Sequence, residues 1–282
     1  SLAFRAFFSI LDLNRFKNAN GLHTNALYSF HRMFKSILDS EKPTHVLVAW
    51  DAGKTTFRTE MYADYKGGRS KTPGEFIEQM PYFNVLLDAW GIPHYRLNQY
   101  EADDIIGTLA KQGEAAGYEV VVLSGDKDLI QLADNNITVK ITTKGVTELV
   151  EYTPEVIFEK YGLTPEQIID MKGLMGDSSD NYPGVTKVGE KTAVKLLQEF
   201  GSVEGIYEHV DEMKKSKLKE NLINDKELAF LSKKLARINV ESPLEITLED
   251  TLRKEQDVEA LMAFYKEMNF NSFQSDLLNS GA

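Results

Sequence analysis

The chain has 282 residues, with 43 Asp plus Glu against 32 Lys plus Arg, giving a formal charge of −11. That balance excludes nucleic-acid binding through diffuse positive charge of the histone-tail kind, while 42 % apolar residues are enough to bury a real core in one large domain or two. The absence of cysteine excludes disulfides, thiolate metal sites and cysteine nucleophiles.

In chain order, residues 44–50 (THVLVAW) read as a buried strand that ends at Asp51. The next stretch, AGKTTFRTEMYADYKGGRSKTPGEF, interleaves Lys54, Arg58, Lys66, Arg69 and Lys71 with Phe57, Tyr62 and Tyr65. Such a run suits a single strand of nucleic acid, whose phosphates pair with cations while its bases stack on rings; an ordinary charged surface loop is the plainer alternative. Gly53-Lys54-Thr55 resembles part of a P-loop, but position 48 is Val where the first glycine is required. Residues 74–90 and 101–116 show helical spacing, the second closed by Gly117, and residues 119–123 (EVVVL) read as another strand just before Gly125-Asp126. Strand, helix, strand at this spacing predicts a parallel sheet covered on both faces, with ligands at the carboxyl ends of its strands. From Thr153 onward strands mostly vanish. Thr153-Pro154 and Thr164-Pro165 read as caps followed by proline at the first helical position. Helical patterns run through Met171, 190–200, 225–238 and 257–268, with one strand expected near 244–248. A boundary near residue 152 therefore divides a sheet-based part, 1–152, from a helical part, 153–282, the two packing together. No apolar run approaches the ~18 to 20 residues of a membrane helix and SLAFRAFFSI lacks a signal-peptide pattern, so a soluble cytoplasmic protein is expected.

Four carboxylate clusters stand out: Asp51; Glu101, Asp103 and Asp104 in YEADD; Asp126 and Asp128 in SGDKDL; and Asp177 and Asp180 in GDSSDN. On a helix Glu101 and Asp104 share a face while Asp103 points roughly 100° away, so all three meet one site only if Glu101 is the cap. Asp177 and Asp180 share a face if helical. Taken singly, each cluster is better read as caps, turns or solvated acids. Four clusters at loci that a parallel sheet brings to one edge change that weighting. Carboxylates held together repel and raise one another's pKa unless cations intervene, and oxygen donors without His or Cys favour Mg²⁺ or Mn²⁺. His23, His31, His45, His94 and His209 flank none of these acids and read as structural. Such a centre points to hydrolytic phosphoryl transfer. Further on, PGVTKVGEKTAV places a turn bounded by Gly184 and Gly189 at a helix start, with Lys187, Lys191 and Lys195 around it, a seat for backbone phosphate or else a plain helix connection.

Together, AWDAGKTTFR, DYKGGR, YEADDIIGTLA, SGDKDLIQL, KGLMGDSSDNYPGV and GEKTAVKLL stand in the order and spacing of the 5′ nuclease (flap endonuclease-like) family. Nearly the whole chain resembles that family, most closely the 5′→3′ exonuclease domains of bacterial DNA polymerase I. The resemblance implies a PIN-like α/β core with a helical arch, followed by a helix-hairpin-helix DNA clamp. It implies metal-dependent cleavage of 5′ flaps and of nicked or gapped duplex DNA in replication and repair, by a monomer in the bacterial cytoplasm at the nucleoid. Asp51, Glu101, Asp103 and Asp104 would serve mainly a first Mg²⁺ (or Mn²⁺), and Asp126, Asp128, Asp177 and Asp180 a second. Arg58, Lys66 and Arg69 would contact the scissile phosphate or the threading strand. Phe4 and Arg5 match an aromatic-arginine pair near the active site, and Lys54, Gly184, Lys187, Gly189 and Lys191 fall at DNA contacts, with a K⁺ site at the hairpin turn.

Two departures matter. The family's apolar strand ending in Asp-Gly-Asn, which supplies another carboxylate, is not present before SLAFRAFF, and the expectation is a chain incomplete at its N-terminus; whether a polymerase domain follows is left open. Lys187 stands where the clamp turn usually has glycine. The first departure favours, as an alternative, a catalytically impaired junction binder. A phosphatase or Toprim-like D-x-D protein is a third reading, disfavoured because it leaves the basic run and the glycine turn unexplained.

Overall fold

The computed structural model describes residues 15–68, 72–143 and 148–280. Phe4, Arg5, Arg69 and Lys71 lie outside the described residues.

Helix α1 (Asn25–Glu41) buries Ala26, Leu27, Phe30, Met33, Phe34 and Leu38, a stripe at helical spacing. Its cap residue Thr24 gives no side-chain bond. Instead the buried Gln79 Oε1 accepts from the N–H groups of Ala26 (3.0 Å) and Leu27 (3.2 Å), satisfying donors that a helix start leaves open. Strand β1 (Val48–Ala49) pairs in parallel with β2 (His94–Tyr95). The predicted strand over 44–50 is thus shorter than expected, because its first half turns to the C-terminal part: Val46 N–H donates to Thr251 O at 2.8 Å and His45 bridges Leu252. Between β1 and β2 run α2 (Phe57–Met61), α3 (Gly74–Ile77) and α4 (Met80–Trp90). The helix read over 74–90 breaks after Ile77, whose carbonyl would need the N–H that Pro81 lacks.

Helix α5 (Ala102–Ala115) leads to β3 (Val120–Ser124), a 3₁₀ segment (Lys127–Leu132), β4 (Ile137–Thr143) and β5 (Glu148–Tyr152). β4 is central, parallel to β3 and antiparallel to β5. Among the described residues β1 and β3 therefore belong to separate hydrogen-bonded sheets, and one pairing is antiparallel. Helices α6 (Pro154–Tyr161), α7 (Pro165–Met175), α8 (Glu190–Phe200), α9 (Val203–His209), α10 (Lys217–Asn224), α11 (Lys226–Ala236), α12 (Val258–Met268) and α13 (Asn271–Ser280) complete a mixed α/β fold. Both predicted threonine caps form, Thr153 accepting from Val156 N–H and Thr164 from Gln167 N–H. The strand expected near 244–248 does not: Glu245 N–H donates to the Tyr95 hydroxyl at 3.0 Å and Thr247 N–H to Asp250 Oδ2 at 2.8 Å, so these donors are spent outside any ladder.

Among the described residues two large apolar cores and a smaller cluster around Tyr65 and Tyr182 hold the elements. One joins Val122, Ile137, Val139 and Ile141 of the β3-β4 pair to Ile157, Ile168, Leu174, Leu197 and Ile206 of α6 to α9. The other packs Phe30 of α1 and Phe83 and Leu86 of α4 against Leu261, Phe264 and Phe273 of α12 and α13. The first core crosses residue 152, and the last two helices return to the N-terminal part. Among the described residues no helix is long and apolar enough to cross a membrane.

Candidate metal centre

Asp51 follows β1, and its Oδ1 accepts from Ala102 N–H at 2.7 Å, tying the strand end to the start of α5. Glu101 is the cap of α5, with extended backbone (φ −91°, ψ 160°), and Asp104 closes a capping box with it. Glu101 is thus the cap that helix geometry requires if the three acids are to meet one site. Asp126 caps the 3₁₀ segment beyond β3, accepting from Asp128 N–H at 2.9 Å.

The fourth cluster differs from the helical reading. Residues 177–182 form a tight loop in which Asp177 and Tyr182 bridge, while Asp177 Oδ1 accepts from Ser179 N–H (2.9 Å), Ser179 Oγ (2.7 Å) and Asp180 N–H (3.1 Å). An Asx-type turn suits Asp followed by two serines, whose side chains compete for backbone partners and disfavour helix. This loop carries Asp177 and Asp180 to Asp128, and one oxygen from each of the three lies within 4.8 Å of the others. Burial, then the neighbouring Asp126, push the Asp128 carboxyl up to about 7, with Lys172 acting in the opposite sense. Asp103 is raised well above the usual carboxylate range by burial, then Asp126, Glu101 and Asp51. Asp126 therefore stands electrostatically between the two groups.

Resident cations offset part of this charge. Lys172 Nζ lies 2.7 Å from Asp177 Oδ2 and 3.3 Å from Asp128 Oδ1. Arg58, expected at the substrate, is only 3 % exposed. Its guanidinium donates to Glu101 Oε2 (2.5 Å), to both oxygens of Asp104 (2.8 Å each), and to the carbonyls of Leu235 (3.0 Å) and Arg237 (2.8 Å). Asp104, with no exposed surface, also accepts from the N–H groups of Glu101 and Asn239. Lys66 pairs with Glu101, and the Tyr65 hydroxyl donates to the same carboxylate at 3.1 Å. Burial opposes ionisation of Glu101, but Lys66 and Arg58 more than offset it and hold the carboxyl below its usual range.

Of the eight acids expected to serve metals, the structure gathers Asp128, Asp177 and Asp180, sets Asp126 next to Asp128, sets Asp103 next to Asp126 and Asp51, and binds Glu101 and Asp104 to Arg58. Sequence reasoning missed Lys172 and Tyr182; the position of Lys172 five residues before Asp177, at the end of α7, was the available signal.

The trio fits a hard divalent cation. It offers oxygens alone, and every histidine is engaged elsewhere: His23 with Glu78, His31 with Tyr265, His45 with Thr44, His94 with Asp88 and His209 with Glu212.

Beyond the loop, Gly184 has φ +62°, and a Cβ there would lie 2.3 Å from Gly176 N. Lys187 adopts the left-handed region as well (φ +63°), the conformation that the usual glycine would favour. Gly189 caps α8 with no side-chain bond, leaving the first N–H groups open near exposed Lys187 and Lys191. Lys54 is exposed beside Asp51.

A model described as 5′-3′ exonuclease, N-terminal resolvase-like domain, matches residues 1–162, and one described as 5′-3′ exonuclease, C-terminal SAM fold, matches residues 163–259. DNA polymerase I of Lactococcus lactis subsp. cremoris (strain MG1363) is 61 % identical over 284 residues, covering 100 % of this chain and 32 % of that protein. DNA polymerase I of Bacillus subtilis (strain 168) is 56 % identical over 272 residues, covering 96 % of this chain and 31 % of that protein. The chain thus spans about a third of the length of these relatives. Among solved structures, T5 5′-exonuclease with bound divalent metal ions (zinc) is 25 % identical over 89 % of this chain and 90 % of that one, with a TM-score of 0.65. The catalytic core of Rad2 in complex with DNA substrate shares the fold at 17 % identity, 94 % and 86 % coverage and a TM-score of 0.62.

Proposed function

Matched over residues 1–259, the chain belongs to the 5′-3′ exonuclease family, and from that premise we propose that it is a divalent-cation-dependent, structure-selective 5′ nuclease. Its substrates on this reading are 5′ flaps and nicked or gapped duplex DNA, and its setting is replication and repair. The observation that carries the reading is the approach of one oxygen each of Asp128, Asp177 and Asp180 within 4.8 Å, with Asp126 next to Asp128 and Asp103 next to Asp126.

When bound, two Mg²⁺ or Mn²⁺ ions supply activation of water and stabilisation of the leaving oxygen in phosphodiester hydrolysis. The trio would hold one ion and Asp51, Asp103 and Asp126 the other. Glu101 and Asp104 act one layer out, fixing the start of α5 through Arg58. Lys66, half-buried on Glu101, is the base-of-arch cation placed to meet a phosphate. Lys54 extends that contact along the single strand. Gly184, Lys187, Gly189 and Lys191 seat duplex backbone phosphates without reading bases, and a K⁺ at this turn belongs to the same reading. A division at residue 152 between a nuclease core and a clamp is one of function, since an apolar core crosses it.

The test is a 5′-labelled flap duplex incubated with the chain and Mg²⁺, with and without chelator, alongside Asp128→Asn. Cleavage at the junction that needs the metal and is lost in Asp128→Asn is expected. A substrate that is bound but uncut under single-turnover conditions makes the chain a junction binder and refutes the enzyme reading.

A further inference from the structure

Tyr182 has a buried hydroxyl that the acidic trio explains. Asp177 and Tyr182 face each other across an antiparallel bridge, Asp177 N–H donating to Tyr182 O at 3.0 Å and Tyr182 N–H to Asp177 O at 3.1 Å. Residues that exchange both bonds carry their side chains on one face, with Cα atoms about 5.5 Å apart. The ring of Tyr182 therefore lies on the same side as the Asp177 carboxylate, and through it near Asp128 and Asp180.

Tyr182 is 4 % exposed, and its hydroxyl has no hydrogen-bond partner among the described residues. The ring is not free to turn away. It stacks on Tyr65 at 6.3 Å and 18°, in a nest completed by Ile169, Leu235 and Ala236. A phenol is protonated at neutral pH, so this one is a donor on the side of the bridge that carries the Asp177 carboxylate. A buried O–H without an acceptor is disfavoured and rare. An oxygen arriving with a cation in the trio would be that acceptor, because a hard divalent ion held by few carboxylates keeps several waters.

We propose that Tyr182 is a positioning residue of the trio, its phenol O–H donating to a water oxygen carried by the divalent cation that Asp128, Asp177 and Asp180 hold. The proposal rests on reading the trio as a cation site. It gives Tyr182 the part that outer-shell partners play at metal centres, where they orient ligands and raise affinity.

The test uses the chain without DNA, so that water is the only oxygen the ion brings. Wild type, Tyr182→Phe and Asp177→Asn are titrated with Mn²⁺, free ion being followed by electron paramagnetic resonance. Tyr182→Phe should weaken Mn²⁺ at the trio about tenfold, while its melting temperature in chelator stays level or rises, since the lost hydroxyl has no partner there. Adding Mg²⁺ should also perturb the near-ultraviolet tyrosine spectrum, in part that vanishes in Tyr182→Phe. If Asp177→Asn binds Mn²⁺ as wild type does, the trio is not a cation site and both readings fall. If Asp177→Asn loses the ion but Tyr182→Phe keeps full affinity and the same spectrum, the tyrosine proposal alone is overturned. A lower melting temperature of Tyr182→Phe in chelator makes the hydroxyl structural and overturns it as well.

Discussion

Replacing Arg58 with methionine would remove five side-chain hydrogen bonds from one buried point while keeping most of the side chain's length. Asp104, with no exposed surface, would keep only its bonds from the N–H groups of Glu101 and Asn239, and the carbonyls of Leu235 and Arg237 would lose a donor each. Removing one partner of a buried ion pair costs about 3 to 5 kcal/mol, and an orphaned buried carbonyl about 1 to 3 kcal/mol. Relaxation and the packing of the methionine recover part of this, so a loss of roughly 4 to 6 kcal/mol is expected, a large fraction of a typical domain's stability. Urea denaturation at pH 7 in chelator measures it. The pH dependence has a definite sign. In the wild type the Glu101 carboxyl is held below 4.5, and this contribution is present above about that pH and lost as pH falls below it. The variant has less of it to lose, so the difference between the two proteins should shrink on acidification. A loss under about 1 kcal/mol at pH 7, or a difference that grows as pH falls, refutes the role of Arg58 as the internal counter-ion of α5.

Lys172→Met strips the ammonium from Asp128 and Asp177, so the chelated protein should melt lower and gain more from added Mg²⁺ than wild type; equal gains would show that Lys172 does not stand in for a cation. His31 lies between Trp90 and Phe273, with ring centroids 4.4 and 4.0 Å away, and burial, then Lys35, lower its pKa from 6.5 to about 3. The unfolded chain therefore takes up the proton first, and stability should fall as pH drops from 6.5 towards 3; His31→Phe should flatten that stretch of the profile, and an unchanged slope refutes the assignment. Gly184→Ala meets both a positive φ and backbone 2.3 Å away, and should cost more than about 2 kcal/mol, whereas Gly189→Ala, with open space around its Cβ, should cost under about 1 kcal/mol; similar losses would contradict the geometry. Lys187→Gly relieves a left-handed lysine and should stabilise the chain by up to about 1 kcal/mol, yet weaken duplex binding and lower its salt dependence by about one ion; tighter binding would remove Lys187 from the DNA contact.

The parts of the fold legible in the sequence were those fixed by local chemistry. The threonine-proline caps of α6 and α7, the Gly117 stop and the strand over 119–123 each depend on a few adjacent residues, and each forms with a shift of one residue at most. What was not legible depends on partners far along the chain. The 44–50 strand is shortened because Val46 bonds Thr251, and 244–248 makes no ladder because Tyr95 takes one of its donors. Strands β2, β4 and β5 went unread, the first being two residues long, the second alternating apolar with Thr and Lys, and the third carrying Glu148 and Glu151 among its five residues. The site shows the same division. Motif spacing found all three acids of the trio, and helix geometry put Asp103 on a different face from Asp104, but neither could tell that Asp104 is spent on Arg58, a cation 46 residues earlier in the chain.

Charge and packing then converge on one node. Lys66 N–H donates to Asp180 O at 2.6 Å, Asn181 Nδ2 to Asp64 O at 2.8 Å, Tyr65 stacks on Tyr182, and Arg58 reaches the carbonyls of Leu235 and Arg237. The start of the basic, aromatic run after Asp51 is therefore anchored to the loop that carries Asp177 and Asp180, so any force on one is felt by the other. Arg58, Lys66 and Lys172 spend their charge on internal carboxylates, which is why the total of −11 says little about the surface a substrate would meet. A divalent ion entering the trio competes with Lys172 for Asp128 and Asp177. A DNA phosphate arriving at the base of the run competes with Glu101 for Lys66. On the proposed function these two exchanges act on segments joined by direct hydrogen bonds, so cation binding and substrate binding should each change the affinity of the other by the same factor.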